Sequence, residues 1–455
     1  MTDTIAAIAT GNARSAVGIL RLSGPTAIAA ASAVFHPAGG KKLENCEERR
    51  LIYGTLSDRD GKAIDTCLAT YSRGPHSYTG EDTAELQCHG SPTVLTLGLE
   101  ALFAQDVRQA GAGEFTRRAF LNGKLDLTQA EAVADLIDAE TPAAARVAAG
   151  QLTGALGRRV EDIYAGLTDL MAHFCAVLDY PDEDIDPFRE KTILDALDGA
   201  ETKLKSLLST YDRGRRAVHG VPCAIVGRPN AGKSSLLNAL VGYDRAIVTD
   251  IPGTTRDTIE EKCELGGVLL RLIDTAGLRE TGDIVEQLGV ERSRAAMESA
   301  ELILVLLDQS RPVERDDIAL VRQAVTLAPT IILLNKMDLP PRLDWTDELD
   351  IAPCTPICTL TGEGLDDLAA LVANAFPVGV GEEFGELLTN ARQAEAATRA
   401  LNAIRRAQEG QSAGMTPDAV LTDVEAAMAA LGELTGRTVR EDVTARIFER
   451  FCIGK

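Results

Sequence analysis

One octapeptide constrains this chain more than any other stretch. Gly227-Arg228-Pro229-Asn230-Ala231-Gly232-Lys233-Ser234 has the spacing G-x-x-x-x-G-K-S; it follows the apolar run Val221–Val226 and opens a helical pattern over Ser235–Val241. Strand, glycine-rich turn and helix start, in that order, aim backbone N–H groups at phosphate oxygens with the positive end of the helix behind them. In such a loop Lys233 reaches the β- and γ-phosphates and the Ser234 hydroxyl ligates Mg²⁺. The strand is not isolated. Leu269–Ile273, Ile303–Leu307 and Ile331–Leu334 are further near-continuous Val/Ile/Leu runs separated by helical patterns, as parallel strands covered on both faces should be. Residues 216–379 therefore predict an α/β P-loop domain.

The base is read further on. Asn335-Lys336-Met337-Asp338 follows the run Ile331–Leu334. A carboxylate there accepts hydrogen bonds from guanine's ring N–H and exocyclic amine. Adenine offers no matching donor pair, and a site built on such a contact discriminates by as much as ~10⁴. Between the two motifs lie Gly253-Thr254-Thr255-Arg256-Asp257 and Asp274-Thr275-Ala276-Gly277. Asp274 ends a strand and can hold Mg²⁺ through water, Gly277 can offer its N–H to the γ-phosphate, and Thr255 is placed to ligate Mg²⁺ only while that phosphate is present. Four signals in this order imply a Ras-like GTP-hydrolysing G domain. The fifth element is altered: Cys358-Thr359-Leu360 stands where such domains carry Ser-Ala-Lys, so no lysine stem stacks on the base. Leu278 follows the D-T-A-G motif where Ras-like enzymes place the water-orienting Gln, and it cannot do that work. Two other residues are candidates for it. Asn230 could help hold a monovalent cation beside the transferring phosphoryl group, and Glu286, on the segment Ile284–Met297, could orient water as a base or be merely solvated.

The 455 residues leave room for about three domains. In residues 1–120, Thr4–Ala9, Val17–Leu22, Leu51–Leu56 and Cys67–Tyr71 have strand character and Pro92–Phe103 reads as a helix, an α+β domain. Over 121–215 the apolar residues Val160, Ile163, Leu167, Leu170, Met171 and Phe174 recur at helical steps. Val420, Val424, Ala427, Met428, Leu431 and Leu434 form a second stripe within 380–455. Neither stripe can bury itself alone. The economical reading is one all-α helical domain from two discontinuous segments, with the G domain inserted between them. The acidic stretch 179–187 reads as a solvated loop rather than a cation site.

Lys+Arg 46 against Asp+Glu 68 gives a formal charge of −22, which excludes indiscriminate binding to nucleic acid or anionic lipid. No basic start precedes the N-terminal apolar stretch, and the apolar run Leu302–Leu307 is far too short to span a bilayer, so no membrane association is expected. Nine scattered cysteines without a C-x-x-C pair, Cys354 and Cys358 lacking companion ligands, fit reduced thiols in a cytoplasmic protein better than zinc.

G-R-P-N-A-G-K-S-S-L-L-N-A-L, T-D-I-P-G-T-T-R-D, D-T-A-G-L-R and the terminal Cys452-Ile453-Gly454-Lys455 together resemble the tRNA-modification GTPase family MnmE, also called TrmE. So do V-G-I-L-R-L-S-G (17–24), S-Y-T-G-E-D-x-x-E-L-Q-x-H-G (77–90) and E-F-T-R-R-A-F-L-N-G-K-L-D-L-T-Q-A-E-A (114–132). The resemblance covers the whole chain, and the C-I-G-K tail is its most discriminating part. It implies an N-terminal domain that dimerises and binds a formylated tetrahydrofolate, and a flavoprotein partner, MnmG, with which the homodimer forms a heterotetramer. Together they install a 5-carboxymethylaminomethyl or aminomethyl group on the wobble uridine of tRNA. It also implies a potassium-dependent GTPase driven by the meeting of two G domains. By motif position, GTP would contact Asn230, Ala231, Gly232, Lys233, Ser234, Ser235, Thr249, Asp250, Ile251, Pro252, Gly253, Thr254, Thr255, Asp274, Thr275, Ala276, Gly277, Asn335, Lys336 and Asp338. Mg²⁺ would lie on Ser234 and Thr255, and K⁺ on Asn230, Thr254 and the carbonyls of Thr249 and Ile251. The catalytic roles fall to Glu286 and Asn230. Folate contacts carry over to Arg21, Glu85, Lys124 and Lys455: a carboxylate suits the amino-pyrimidinone edge of a pterin, and the cations suit glutamyl carboxylates. Cys452 has an open role in this tail, and Pro252 fixes φ in the potassium loop.

Two other classes compete with this reading. A ribosome-assembly GTPase acting as an RNA-binding switch should carry a basic module, which the −22 charge weighs against. A stand-alone folate-dependent transferase would not need intact nucleotide motifs.

Overall fold

Alternating inward apolar and outward polar side chains build a mixed sheet in the N-terminal region. The computed structural model describes residues 3–11, 13–179, 190–243, 261–273, 294–377, 382–438, 447–448, 451 and 454. The first elements are β1 (Ile5–Ile8), β2 (Ser15–Ser23), α1 (Ala27–Val34), β3 (Phe35–Pro37), β4 (Ile52–Ser57), β5 (Ala63–Ser72), β6 (Thr83–Gly90), α2 (Pro92–Phe103), β7 (Arg108–Gln109) and α3 (Glu114–Leu121). The strand order is β3-β4-β5-β6-β2-β1-β7, antiparallel throughout except between β1 and β7. Each strand read from the sequence overlaps an observed one, its ends within two residues except at the start of β5, which begins four residues before Cys67, and α2 has the expected bounds. β3, β6 and β7 are additional. β6 turns Ala84, Leu86, Cys88 and Gly90 inward, and three of these are too small to give a strong hydropathy alternation.

Helices follow: α4 (Leu127–Ile137), α5 (Pro142–Leu152), α6 (Ala155–Asp179), α7 (Glu190–Leu208) and α8 (Tyr211–His219). In the acidic stretch Asp179 is the last residue of α6, and 180–189 lie outside the described residues. A second sheet then alternates with helices: β8 (Val221–Gly227), α9 (Lys233–Tyr243), β9 (Glu261–Leu265), β10 (Val268–Leu272), β11 (Leu302–Asp308), α10 (Arg315–Leu327), β12 (Thr330–Asn335), β13 (Cys354–Pro356) and α11 (Leu365–Ala375). Its order is β13-β12-β11-β8-β10-β9, with only β9 antiparallel. All four expected strands are present. β9 and the three-residue β13 are additional edge strands, too short or too charged to stand out by composition.

The chain closes with α12 (Ala391–Ser412) and α13 (Pro417–Thr435). α13 packs on α6, and the two stripes are what meets there. Val160, Ile163, Leu167, Leu170 and Phe174 are buried on α6, as are Val420, Val424, Ala427, Leu431 and Leu434 on α13. Met171 and Met428 are half-buried at the margins. The chain divides into two compact units. Met1–Ala134, Leu152–Ala200 and Arg399–Lys455 form one, which holds the seven-stranded sheet and the α6–α13 pair. Asp135–Gln151 and Glu201–Thr398 form the other, which holds the six-stranded sheet. Among the described residues no helix is long and apolar enough to cross a membrane.

Candidate functional site

β8 lies in the middle of the six-stranded sheet, buried along Val221–Val226, and delivers the chain into the phosphate loop at a fixed place. The loop then needs backbone conformations that few residues accept: Asn230 has φ +63° and Gly232 φ +105°. A Cβ on Gly232 would lie 2.1 Å from Nδ2 of Asn335, so close approach as well as φ reserves that position for glycine. The Asn335 side chain is the link this approach permits. Its Nδ2 donates to Ala231 O at 2.8 Å, and its Oδ1 accepts from Thr359 N at 3.3 Å. One buried carboxamide thus joins the phosphate loop, the end of β12 and the turn after β13.

Lys233 folds over the loop. Its Nζ donates to Gly227 O at 2.8 Å and Arg228 O at 3.0 Å, and burial pushes its pKa down. Ser234 and Ser235 are exposed in the first turn of α9. Arg228 points away from this cluster to Glu314 Oε1 at 2.5 Å and Asp317 Oδ2 at 3.7 Å at the start of α10. Lys336, at φ +66°, pairs with Asp308 Oδ2 at 2.6 Å across the ends of β12 and β11. Burial raises the Asp308 pKa, but the Lys336 ammonium and the Ser310 hydroxyl and N–H outweigh it, and the net shift is downward. Asp338 is exposed, and its Oδ1 accepts a bond from the Cys358 thiol at 3.5 Å. Leu360 is 80% exposed beside this turn.

Asn230, Ala231, Gly232, Lys233, Ser234 and Ser235 are therefore brought together with Asn335, Lys336 and Asp338 around the C-terminal ends of β8 and β12, where ligands of open α/β sheets bind. Thr249, Asp250, Ile251, Pro252, Gly253, Thr254, Thr255, Asp274, Thr275, Ala276, Gly277, Leu278 and Glu286 lie outside the described residues, as do Cys452 and Lys455.

The other unit gathers the remaining expected residues. Arg21 on β2 and Glu85 on β6 face each other in register and pair at 2.8 Å. The Arg21 guanidinium lies 5.9 Å from the ring centroids of both Tyr78 and Phe115, and Tyr78 Oη is 3.0 Å from Thr116 Oγ1. Lys124 is exposed and packs beside Gly80 in the turn that carries Tyr78. Gly454 is buried against Ile8 and Ala9, next in the strand to Ala7, which pairs with Arg21. Tyr78, Phe115 and Thr116 were not singled out from the sequence. Their signal was their place inside the S-Y-T-G and E-F-T-R motifs.

Comparison with known proteins covers nearly the whole chain. Residues 4–124 match the GTP-binding protein TrmE N-terminus, and residues 127–452 match the MnmE helical domain. The chain belongs to the MnmE family. The tRNA modification GTPase MnmE of Alkaliphilus metalliredigens is 43% identical over 460 residues, spanning 100% of both chains. That of Thermus thermophilus is 44% identical over 457 residues, again 100% of both, and that of Clostridioides difficile is 41% identical over 457 residues, covering 100% of this chain and 99% of the relative. As an MnmE-family tRNA modification GTPase, the chain binds GTP and hydrolyses it.

Proposed function

We propose that this chain is a potassium-dependent, cytoplasmic GTP hydrolase. As a homodimer bound to the flavoprotein MnmG in a heterotetramer, it forms 5-carboxymethylaminomethyl or aminomethyl uridine at the tRNA wobble position. One observation carries this reading: the match to proteins named tRNA modification GTPase is complete on both sides, 43% identical over 460 residues. Its domains are 1–120 for folate binding and dimerisation, 121–215 and 380–455 for the helical domain, and 216–379 for the G domain.

GTP enters the loop Asn230–Ser235, where its phosphates offer Lys233 a charged partner stronger than the carbonyls of Gly227 and Arg228. Asp338 pairs with guanine, while Asn335 keeps the base-reading turn and the phosphate loop at a constant separation. Leu278 cannot orient water, so Glu286 takes the role of base and holds the proton of the attacking water. When bound, Mg²⁺ on Ser234 and Thr255 and K⁺ on Asn230, Thr254 and the carbonyls of Thr249 and Ile251 supply positive charge at the β- and γ-phosphate oxygens. The donors suit these ions. Asn230 holds an exposed carboxamide on a left-handed residue with no partner among the described residues, and neutral oxygen donors are what a monovalent ion needs. Arg21, Glu85, Lys124 and Lys455 hold formylated tetrahydrofolate; the exposed Tyr78 ring beside Arg21 supports a flat ligand there.

The purified full-length chain tests the mechanism. GTP turnover in KCl should exceed that in equimolar NaCl by about two to three orders of magnitude, and Glu286→Ala should bind GTP yet lose turnover to a similar extent. Equal rates in the two salts would remove the potassium assignment, and normal turnover in Glu286→Ala would remove the base. Wobble-uridine nucleosides from cells lacking the chain should revert to the unmodified form, which tests the tRNA reaction independently of both.

A further inference from the structure

We propose that Cys67 and Cys88 form a modification site, where hydrogen peroxide oxidises the two thiols to a disulfide that clamps β5 to β6. The Cys67 sulfur attacks one peroxide oxygen, the O–O bond breaks, and the first water leaves. The Cys88 sulfur then displaces the hydroxyl from the sulfenic acid so formed, closing the S–S bond and releasing a second water. Both S–H protons end in water, and the two electrons lost by the thiols reduce the peroxide.

The register carries the proposal. Pairing between β5 and β6 runs from Ser72–Thr83 to Leu68–Gln87, and the next step sets Cys67 directly against Cys88. The two form a pair of the non-hydrogen-bonded kind. Tyr71 offers its carbonyl to Arg49 N on the β4 side, so by the alternation of a strand Cys67 also turns its backbone groups toward β4. His89 N reaches across to Asp65 Oδ2 on β5 at 2.8 Å, so Cys88, one residue back, turns its own groups toward β2. In such a pair the Cα atoms lie about 4.5 Å apart and the side chains approach most closely. That separation falls within the roughly 4.4–6.8 Å that a disulfide spans. Both thiols face the same apolar core, and both are buried. The row across four strands reads Gly54, Cys67, Cys88, Gly18, so neither flanking strand sets a side chain of its own beside the sulfurs.

A buried cysteine is ordinarily a small apolar filler, but two of them set opposite each other can do more. The pair also lies where β5 and β6 open. Past Leu68–Gln87 the strands are held through the Asp65 side chain, which meets His89 N and, through Oδ1, His89 Nδ1 at 2.8 Å; His89 itself is exposed. A ladder end closed by a side chain opens locally at lower cost than one closed by backbone bonds, and it gives a small oxidant a way in. The hydrogen bond to Cys67, burial and the nearby Asp65 carboxylate push the Cys88 thiol well above its ordinary range. The thiolate is the reactive form, so Cys88 resolves rather than attacks, and the bridge closes slowly, under sustained oxidant.

The test treats the reduced full-length chain with hydrogen peroxide at neutral pH, blocks remaining thiols with iodoacetamide, and reads the tryptic peptides by mass. Cys67 and Cys88 fall in separate peptides, 63–73 and 74–108, each with a single cysteine. The expected product is one species two hydrogens lighter than the two peptides together, with both cysteines closed to alkylation until a reductant is added. The oxidised chain should also unfold its N-terminal sheet at higher urea than the reduced chain, because the bridge closes the loop from residue 67 to residue 88 in the unfolded state. Cys67→Ser and Cys88→Ala should each lose both the linked species and the rise in urea midpoint. Peptides that stay separate while other cysteines of the chain are oxidised overturn the proposal. So does a linked species that forms only in urea, which would come from the unfolded chain, or Cys88 joined to a cysteine other than Cys67.

Discussion

The Arg118 side chain is buried, and a buried guanidinium needs charged and hydrogen-bonding partners to offset the water it loses. It donates to Asp3 O at 2.9 Å, Asp3 Oδ1 at 2.9 Å, Glu81 Oε2 at 3.0 Å and Glu114 Oε1 at 3.0 Å, and Arg108 binds Asp3 and Glu114 from outside. Burial pushes the Glu114 carboxyl up, but the bonds from Arg108, Gly111 N–H and Arg118 outweigh it and bring it to about 2. Because the folded pKa lies below the unfolded one, Glu114 stabilises the fold fully above the ordinary carboxylate range. That contribution is lost as pH falls toward 2. After allowing for solvent screening it is on the order of 2 kcal/mol. Urea unfolding followed by N-terminal probes should therefore show stability falling between about pH 4.5 and 2, with a shallower fall in Glu114→Gln; parallel pH profiles would count against the network. None of this was legible in the sequence, where Arg118 is one cation in an E-F-T-R-R run. The nucleotide residues were legible because their chemistry fixes their spacing along eight contiguous positions. The Arg118 network joins Asp3, Glu81, Glu114 and Arg118 across three separate segments and has no linear signature.

At the scale of elements, what the sequence exposed and what it hid follow from burial. β8, β11 and β12 are covered on both faces and read as apolar runs. α2 begins at Pro92 in its first turn and shows its bounds directly. β3 has three residues, β13 has three, and β9 reads Glu-Lys-Cys-Glu-Leu; their partners define them more than their composition does. The junction between β8 and α9 depends most on one small residue. Gly232 combines φ +105° with a Cβ direction that meets Asn335 Nδ2 at 2.1 Å, so Gly232→Ala must either open the loop or expel the Asn335 carboxamide. Either movement breaks the bond to Ala231 O and spreads the phosphate-binding N–H groups. GTP affinity measured by equilibrium titration should fall by at least about tenfold, while the melting temperature changes by only a few degrees, since the strained site lies at the rim of the sheet and not in its core. Retained affinity would mean that the loop tolerates the displacement and that the Asn335 link is dispensable.

The whole molecule poses an electrostatic problem that no single element solves. A chain of formal charge −22 must work on a tRNA, a polyanion whose protein affinity normally comes from displacing condensed counterions with Lys and Arg. Among the described residues several cations are spent on internal partners: Arg215 and Arg216 on Glu301, Arg228 on Glu314, Arg399 on Glu433, Arg437 on Glu161, Arg406 on Asp423. Pairing of that kind suits an assembly in which one component moves and another carries the RNA-binding charge. The two apolar stripes on α6 and α13 fit the first role, since they bring segments far apart in sequence onto one packed helical pair. The division of labour is measurable. Filter binding of tRNA to the chain alone should be weak and should change little between 50 and 200 mM salt, because few phosphates are neutralised. Adding the proposed flavoprotein partner should strengthen binding and steepen the dependence on salt by roughly 0.9 in log–log slope for each duplex phosphate newly contacted. A steep slope from the chain alone would show that it carries an RNA-binding surface of its own despite its net charge, and would return the RNA-binding switch to the front of the alternatives.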